Sequence, residues 1–308
     1  MNFISTLRKM LRIENVNKSY GEIQALKDVN FDVGDGELFG LIGPDGAGKT
    51  SLIRIITTLM LADSGKVSMK GHDVVDDMSF VRKNVGYMPG KFSLYQDLSV
   101  LENLEFFATI FNTTIEKNRY LIEDIYKQIE PFKHRKAGAL SGGMKQKLAL
   151  CCALIHKPIL LLLDEPTTGV DAVSRKEFWQ MLQKLREDGI SILVSTPYMD
   201  ESKLCDRVAL MQNGNILSIE TPQKIVSEFD KNIYDVKGRD LYGLLDKIRS
   251  LEKIDQAYPF GESLHVYTKT KEGIEELIRG IRPEENIEVA PITADIEDCF
   301  MNLMTKSE

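Results

Sequence analysis

Gly43-Pro44-Asp45-Gly46-Ala47-Gly48-Lys49-Thr50 decides how this chain is read. The stretch fits GxxxxGK[ST] without a gap, the pattern of a loop that grips phosphate. Its surroundings suit that role. Glu37 to Ile42 before it reads as a buried strand, and Lys49 to Leu61 after it reads as a helix. Gly43, Gly46 and Gly48 let the backbone curl until its N–H groups face the phosphates, with Pro44, Asp45 and Ala47 between them. The helix start adds a dipole that favours negative charge. Lys49 can neutralise the outer phosphate oxygens, Thr50 can ligate Mg2+, and Ser51 sets a second hydroxyl beside it. An acid facing phosphates would repel them, so the Asp45 side chain is expected to point away and support the turn.

The elements on either side form an α/β pattern. Leu11 to Tyr20 alternates like a strand. Ser99 with Glu102 makes a capping box, and Leu101, Leu104, Phe107 and Ile110 follow at helical spacing. Ser141 can cap a helix that runs to Ile155, stopped by Pro158. Ile159 to Leu163 is an apolar run suited to a central parallel strand, Val173 to Arg186 is helical, and Ser191 to Ser195 is another buried strand. Val208 to Met211 and Ile216 to Ile219 flank Asn213-Gly214, a hairpin signal. The pattern resets near Phe229 to Asn232. Beyond it come a strand (Ile233 to Val236), a helix (Leu241 to Leu251), two strands near Ala257 and at Leu264 to Tyr267, a helix (Gly273 to Arg279), a strand (Ile287 to Ala290) and a last amphipathic turn. That order predicts a small ferredoxin-like α+β domain.

With 308 residues the chain can hold one large domain and a small one. A net charge of −7 leaves no basic field to hold nucleic acid by counterion release. Cys151, Cys152, Cys205 and Cys299 show no metal spacing and read as buried free thiols of a reducing compartment. His72, His134, His156 and His265 lie far apart and show none either. No apolar run approaches the about 20 residues of a membrane span, and Met1 to Met10 lacks the apolar core of a secretory signal.

Two further motifs narrow the reading. Leu140-Ser141-Gly142-Gly143-Met144 resembles the signature LSGGQ, with Met144 in the glutamine place. Soon after, Leu160-Leu161-Leu162-Leu163 runs into Asp164-Glu165, an apolar strand that ends in two carboxylates. One can orient the metal while the other positions or deprotonates water. With these motifs, roughly Leu11 to Thr221 resembles the ATP-binding cassette (ABC) family. The resemblance implies a P-loop NTPase fold with a mixed sheet core and a helical subdomain at about residues 91–141. It implies a nucleotide-binding domain over 11–228, with 229–308 as an accessory domain.

The resemblance also implies roles. Asp164 sits beside Mg2+ and Glu165 is the catalytic carboxylate. Tyr20 matches the aromatic that stacks on adenine. Thr168-Gly169-Val170-Asp171 matches the segment that crosses to an opposite site. Ser141, Gly142 and Gly143 bind the ATP held by a second cassette, identical or different, so that two cassettes enclose two ATP molecules head to tail. Two family positions differ. Pro197, in Ser195-Thr196-Pro197-Tyr198, replaces the switch histidine, and Gly90, in Tyr87-Met88-Pro89-Gly90, replaces a glutamine. A proline has no donor to offer. Either ATP binding survives while hydrolysis is slow or relies on other residues, or loop conformation or a water compensates.

The expected role is the energy subunit of an ABC transporter, peripheral on the cytoplasmic face of the membrane and driving separate permease subunits. Ala294-Asp295-Ile296-Glu297-Asp298-Cys299-Phe300 resembles the end of the accessory domain of type-2 exporters, which favours export. A soluble ABC ATPase acting on ribosomes or DNA is the rival reading, as is a degenerate regulatory cassette beside an active one. Phe92, Leu94 and Tyr95 are apolar where a loop is expected. They either line a groove for a partner helix or pack on the helical subdomain.

Overall fold

The computed structural model describes residues 9–91, 93–270, 273, 275 and 287–307. The chain runs β1 (Lys9–Tyr20), β2 (Ile23–Gly34), β3 (Leu38–Ile42), α1 (Lys49–Ile56), β4 (Ser64–Met69), β5 (His72–Asp73), α2 (Met78–Asn84) and β6 (Val85–Met88). It continues through α3 (Val100–Ile110), α4 (Ile115–Ile129), α5 (Gly142–Leu154), β7 (Leu160–Asp164), α6 (Ala172–Glu187), β8 (Ser191–Thr196), β9 (Arg207–Gln212) and β10 (Asn215–Glu220). The chain then divides between Pro222 and Gln223 into two compact units, within α7 (Pro222–Ser227).

The first unit carries two sheets. Leu11, Ile13 and Val16 of β1 point inward, as the alternation predicts, and β1 lies between β2 and β4 in the antiparallel order β2-β1-β4-β5. The larger sheet has the order β10-β9-β3-β8-β7-β6. Strands β9, β3, β8, β7 and β6 pair in parallel, and β10 closes one edge as the antiparallel arm of a hairpin. Both residues of the Asn213-Gly214 turn adopt positive φ, which such a tight hairpin requires. Every residue of β3, β7 and β8 is buried. That is why these strands are continuous apolar runs rather than alternating ones.

Register sets the site. β3 pairs with β8 so that Ile42 faces Thr196, and β7 pairs with β8 so that Asp164 faces Ser195. The phosphate loop, the two carboxylates and the Ser195–Pro197 segment therefore leave the sheet at one edge. Parallel α/β sheets bind ligands at the carboxyl ends of their strands in this way.

The helical portion packs α5 against α3 and α4. The capping box at Ser99 is formed in both directions. Two expectations change. Lys49 to Leu61 is not one helix: α1 stops at Ile56, where the Thr57 hydroxyl donates to the Ile53 carbonyl and Thr58 turns to φ 61°. Leu59 and Leu61, which extended the apolar pattern, are exposed. The inward face of α3 is Val100, Asn103, Leu104 and Ala108, rather than Leu101, Phe107 and Ile110. Asn103 takes an inward position because its amide bonds the Tyr95, Leu98 and Ser99 carbonyls and satisfies the preceding loop.

The second unit contains β11 (Asn232–Lys237), α8 (Leu241–Arg249), β12 (Gln256–Phe260), β13 (Ser263–Thr268), β14 (Glu288–Ile292) and the closing helix Ile296–Ser307 as far as Thr305. The sheet order β12-β13-β11-β14 is antiparallel throughout, the split βαβ order. Leu244, Leu245 and Ile248 pack on Val236, Leu264 and Val266. The helix expected over Gly273 to Arg279 lies outside the described residues except at Gly273 and Glu275.

Candidate functional site

The phosphate loop is held open from behind. Gly48 adopts φ 108°, and a Cβ there would lie 2.4 Å from the Ala25 carbonyl oxygen. At Gly43 a Cβ would lie 2.1 Å from the Met211 carbonyl oxygen. Neither position admits a side chain. The Gly214 N–H donates to the Ala47 carbonyl, so the β9–β10 turn props the loop. Asp45 and Gly46 are exposed at its tip, and Pro44 is half-buried.

Lys49 opens α1 and is 3% exposed. Its Nζ donates to the carbonyls of Gly43 at 2.7 Å and Pro44 at 3.0 Å, and lies 3.3 Å from Glu165 Oε1. A buried ammonium needs such partners. Entering phosphates would offer it stronger ones. The Thr50 hydroxyl donates to Asp164 Oδ1 at 3.1 Å, and the Ser195 hydroxyl donates to the same oxygen at 2.7 Å. Glu165 sits at φ 50°, a left-handed conformation that a non-glycine residue rarely takes. Tyr20 places its hydroxyl 3.2 Å from Ser51 Oγ at the start of α1, with its ring 45% exposed.

The oxygens of Thr50 and Asp164 are hard donors suited to Mg2+, which favours few protein oxygens plus substrate phosphates. Among the described residues no group of three His, Cys, Asp or Glu forms a cage for a metal. The donor set therefore fits a cation brought with a nucleotide.

Residues 26–168 match the family model described as ABC transporter. The chain is 32% identical to "Nod factor export ATP-binding protein I" of Rhizobium sp. (strain N33), over 94% of this chain and 95% of that protein. The chain belongs to the ABC transporter ATP-binding family. It is also 37% identical to "Probable multidrug ABC transporter ATP-binding protein YbhF" of Escherichia coli (strain K12), over 87% of this chain. It spans about half of that relative's length, 47%. Among solved structures it resembles the dimeric cassette MJ0796 in a post-hydrolysis state bound to ADP and Pi. That likeness has a TM-score of 0.62 and 29% identity, over 69% of this chain and 98% of that one.

In this ABC cassette Ser141–Gly143 and the start of α6 are packed side by side. Ser141 Oγ accepts from the Met144 N–H and caps α5. A Cβ on Gly143 would meet Ser174 Oγ at 2.6 Å, and one on Gly142 would meet the Gly169 carbonyl oxygen at 3.7 Å. Asp171 caps α6, accepting from the N–H groups of Ser174 at 3.0 Å and Val173 at 3.1 Å. These bonds, that from Ser174 foremost, hold its carboxyl below the ordinary aspartate value.

The altered positions have their own packing. A Cβ on Gly90 would lie 3.0 Å from the Asp164 carbonyl oxygen and 3.8 Å from Glu165 Cβ. The glycine lets this loop run against the end of β7, and a glutamine there would have to push it away. The Gln96 backbone carbonyl accepts the Gly138 N–H at 2.9 Å and ties two loops of the helical portion. Sequence reasoning missed Ser195 and Glu201. Glu201, 2% exposed, accepts from Thr196 Oγ1 at 2.5 Å and Thr167 Oγ1 at 2.8 Å. A local trace of Ser195 was the polar pair Ser195-Thr196 closing the apolar run Ile192-Leu193-Val194, but nothing local marked Glu201 or either residue's partner.

Proposed function

We propose that this chain is an exporter's energy subunit. It binds MgATP between Tyr20, the phosphate loop Gly43–Ser51 and Asp164, and hydrolyses it with Glu165. It closes over that ATP with a second cassette that presents Ser141, Gly142, Gly143 and Asp171. The observation that carries this reading is the meeting of Lys49, Thr50, Asp164 and Glu165 at one sheet edge, within 3.1 to 3.3 Å. Mg2+, held by Thr50 and Asp164, would neutralise charge on the triphosphate. The chain's own residues supply the rest. Lys49 and the loop amides bind phosphate, and Glu165 accepts a proton from water or orients it. Pro197 offers no donor there, so turnover at this site is slow. That observation also favours a pairing with a more active cassette.

Export is supported by the name of one relative, a Nod factor export protein, while the other is named a probable multidrug ABC transporter protein. Among the described residues no helix is long and apolar enough to cross a membrane, which suits an engine that drives separate permease subunits from the cytoplasmic face. An acidic chain is a poor ligand for nucleic acid. We assign residues 11–228 to the nucleotide-binding domain, with about 91–141 as its helical subdomain, and 229–308 to an accessory domain.

A cleft of ≈ 460 Å³, lined by Tyr87, Pro89, Leu94, Phe107, Ile110 and Phe111 among others, suits a short helix of the permease. Leu94 lines it while itself 7% exposed. Tyr95 is half exposed and packs edge-on against Phe106. Phe92 lies outside the described residues. Calorimetry tests the core of the proposal. MgATP should bind the unaltered chain, and Lys49→Ala should weaken binding at least tenfold. Equal binding by both would overturn it.

A further inference from the structure

The two carboxylates of the site share a support that the proposed mechanism does not use. β7 and β8 run in parallel with Asp164 opposite Ser195, so the last paired residue of β8 lies alongside both acids. Ser195 is completely buried. A hydroxyl has one proton to give and lone pairs to accept with, and this one uses both functions. It donates to Asp164 Oδ1 at 2.7 Å and accepts from the Glu165 backbone N–H at 3.0 Å. The same N–H also reaches the Ser195 carbonyl at 3.1 Å. One residue therefore grips the side chain of Asp164 and the backbone of Glu165.

The second grip acts on a strained position. Glu165 is not glycine, yet it sits at φ 50°. Such a conformation persists only where its surroundings fix it. The doubly held N–H fixes it, and the turn brings Glu165 Oε1 to 3.3 Å from Lys49 Nζ. Next along β8, Thr196 is anchored to buried Glu201, so the strand end cannot slide. Pro197 then stands where the family resemblance places a histidine, and offers no side-chain donor.

We infer that Ser195 is a positioning residue, aligning Asp164 toward the metal and Glu165 toward water at a site whose usual histidine is absent. This rests on the proposed ATPase function. Thr50 still bonds Asp164, and the Ser195 carbonyl still bonds Glu165, when the hydroxyl is removed. Ser195→Ala should therefore fold and still grip phosphate, but align both acids loosely. Loss of a partner that orients a metal ligand costs about 10–100-fold in metal affinity or activity.

The test is calorimetry of ATP binding with Mg2+ and with EDTA, together with turnover, for the unaltered protein, Ser195→Ala and Ser195→Thr. Thermal melting of each variant reports folding. Affinity in EDTA should be the same in all three. In Ser195→Ala the gain in affinity on adding Mg2+ should shrink at least tenfold, and kcat should fall by a similar factor. Ser195→Thr keeps the hydroxyl and should restore both. A Ser195→Ala protein with the original Mg2+ gain and kcat overturns the inference, as does a loss of affinity that is equal in EDTA. If the unaltered protein takes up no MgATP, the functional reading fails and this inference with it. Normal uptake with an unaffected Ser195→Ala removes this inference alone.

Discussion

Pro197 is the residue at which the proposed slow turnover can be tested. It follows Thr196 at the end of β8, beside the Lys49–Glu165 and Thr50–Asp164 contacts proposed to hold phosphate and metal. A side-chain donor aimed at developing charge is worth about 10²–10³ in kcat, and proline supplies none. Pro197→His should raise kcat by about 10²-fold while ATP affinity stays the same. Single-turnover hydrolysis by the purified chain checks this, and an unchanged rate means that another group already does the work. Gly90→Gln is a poorer test, because the new Cβ meets the Asp164 carbonyl oxygen at 3.0 Å and disturbs the residue it is meant to help. At this scale the sequence was most informative where function needs contiguous residues. Gly43 to Thr50 form one loop, so spacing alone revealed them. Ser195 reaches Asp164 across 31 positions through strand pairing, and no local pattern records such a contact.

Elements, rather than residues, keep these groups in register. The β7–α6 connection is tied to the end of β8 by Glu201, whose two oxygens take one hydroxyl proton from each side. Arg175 approaches the same carboxylate at 3.9 Å and stacks over Tyr198 at 4.4 Å, so α6 joins the knot. Glu201→Ala would leave two buried hydroxyls without their acceptor. Hydrogen bonds to a charged group contribute about 1.5–3 kcal/mol each, so the loss of two should cost about 3–6 kcal/mol. Urea denaturation followed by Trp179 fluorescence measures this, and a loss below 1 kcal/mol would show the knot to be incidental. Ser99→Ala should cost about 1 kcal/mol, because it removes the capping box of α3. A melting temperature lower by about 2–4 °C is the expected reading. The capping box was legible because both partners lie within one turn. The inward face of α3 was not, because Asn103 earns its buried place from carbonyls of a loop whose path the sequence does not state. The short α1 was missed for a similar reason: Leu59 and Leu61 continue the apolar rhythm but end up exposed.

On the scale of the whole chain, the two compact units carry histidines shifted in opposite directions, which predicts opposite contributions to their pH dependence. In the first unit, burial pushes His156 below the ordinary histidine value, against a smaller opposing effect of its bond to the Val85 carbonyl. A carbonyl only accepts, so Nε2 carries the proton at 3.0 Å, while Nδ1 is buried without a partner among the described residues. A second proton would be buried unpaired. The native state thus binds fewer protons here than the unfolded chain, and stability falls as pH drops through the unfolded value of about 6.5. In the second unit, burial opposes charge on His265, but the bond and the charge of Asp298, with Asp235 and Asp295 adding theirs, outweigh it and raise the value. Nδ1 lies 2.6 Å from Asp298 Oδ1, which also accepts from the Tyr267 hydroxyl at 2.9 Å. This contribution is full below about 6.5 and is lost as pH rises through the raised native value. Trp179, the chain's one tryptophan, is buried in α6 and reports on the first unit alone. Going from pH 8 to pH 5.5 should move the Trp179 urea midpoint down. The remaining far-UV circular dichroism transition should move up. His265→Phe should flatten the second slope and leave the first unchanged. Two midpoints that moved together, with or without His265, would mean that the units do not unfold separately and that the His265–Asp298 pair does not set the stability of its own unit.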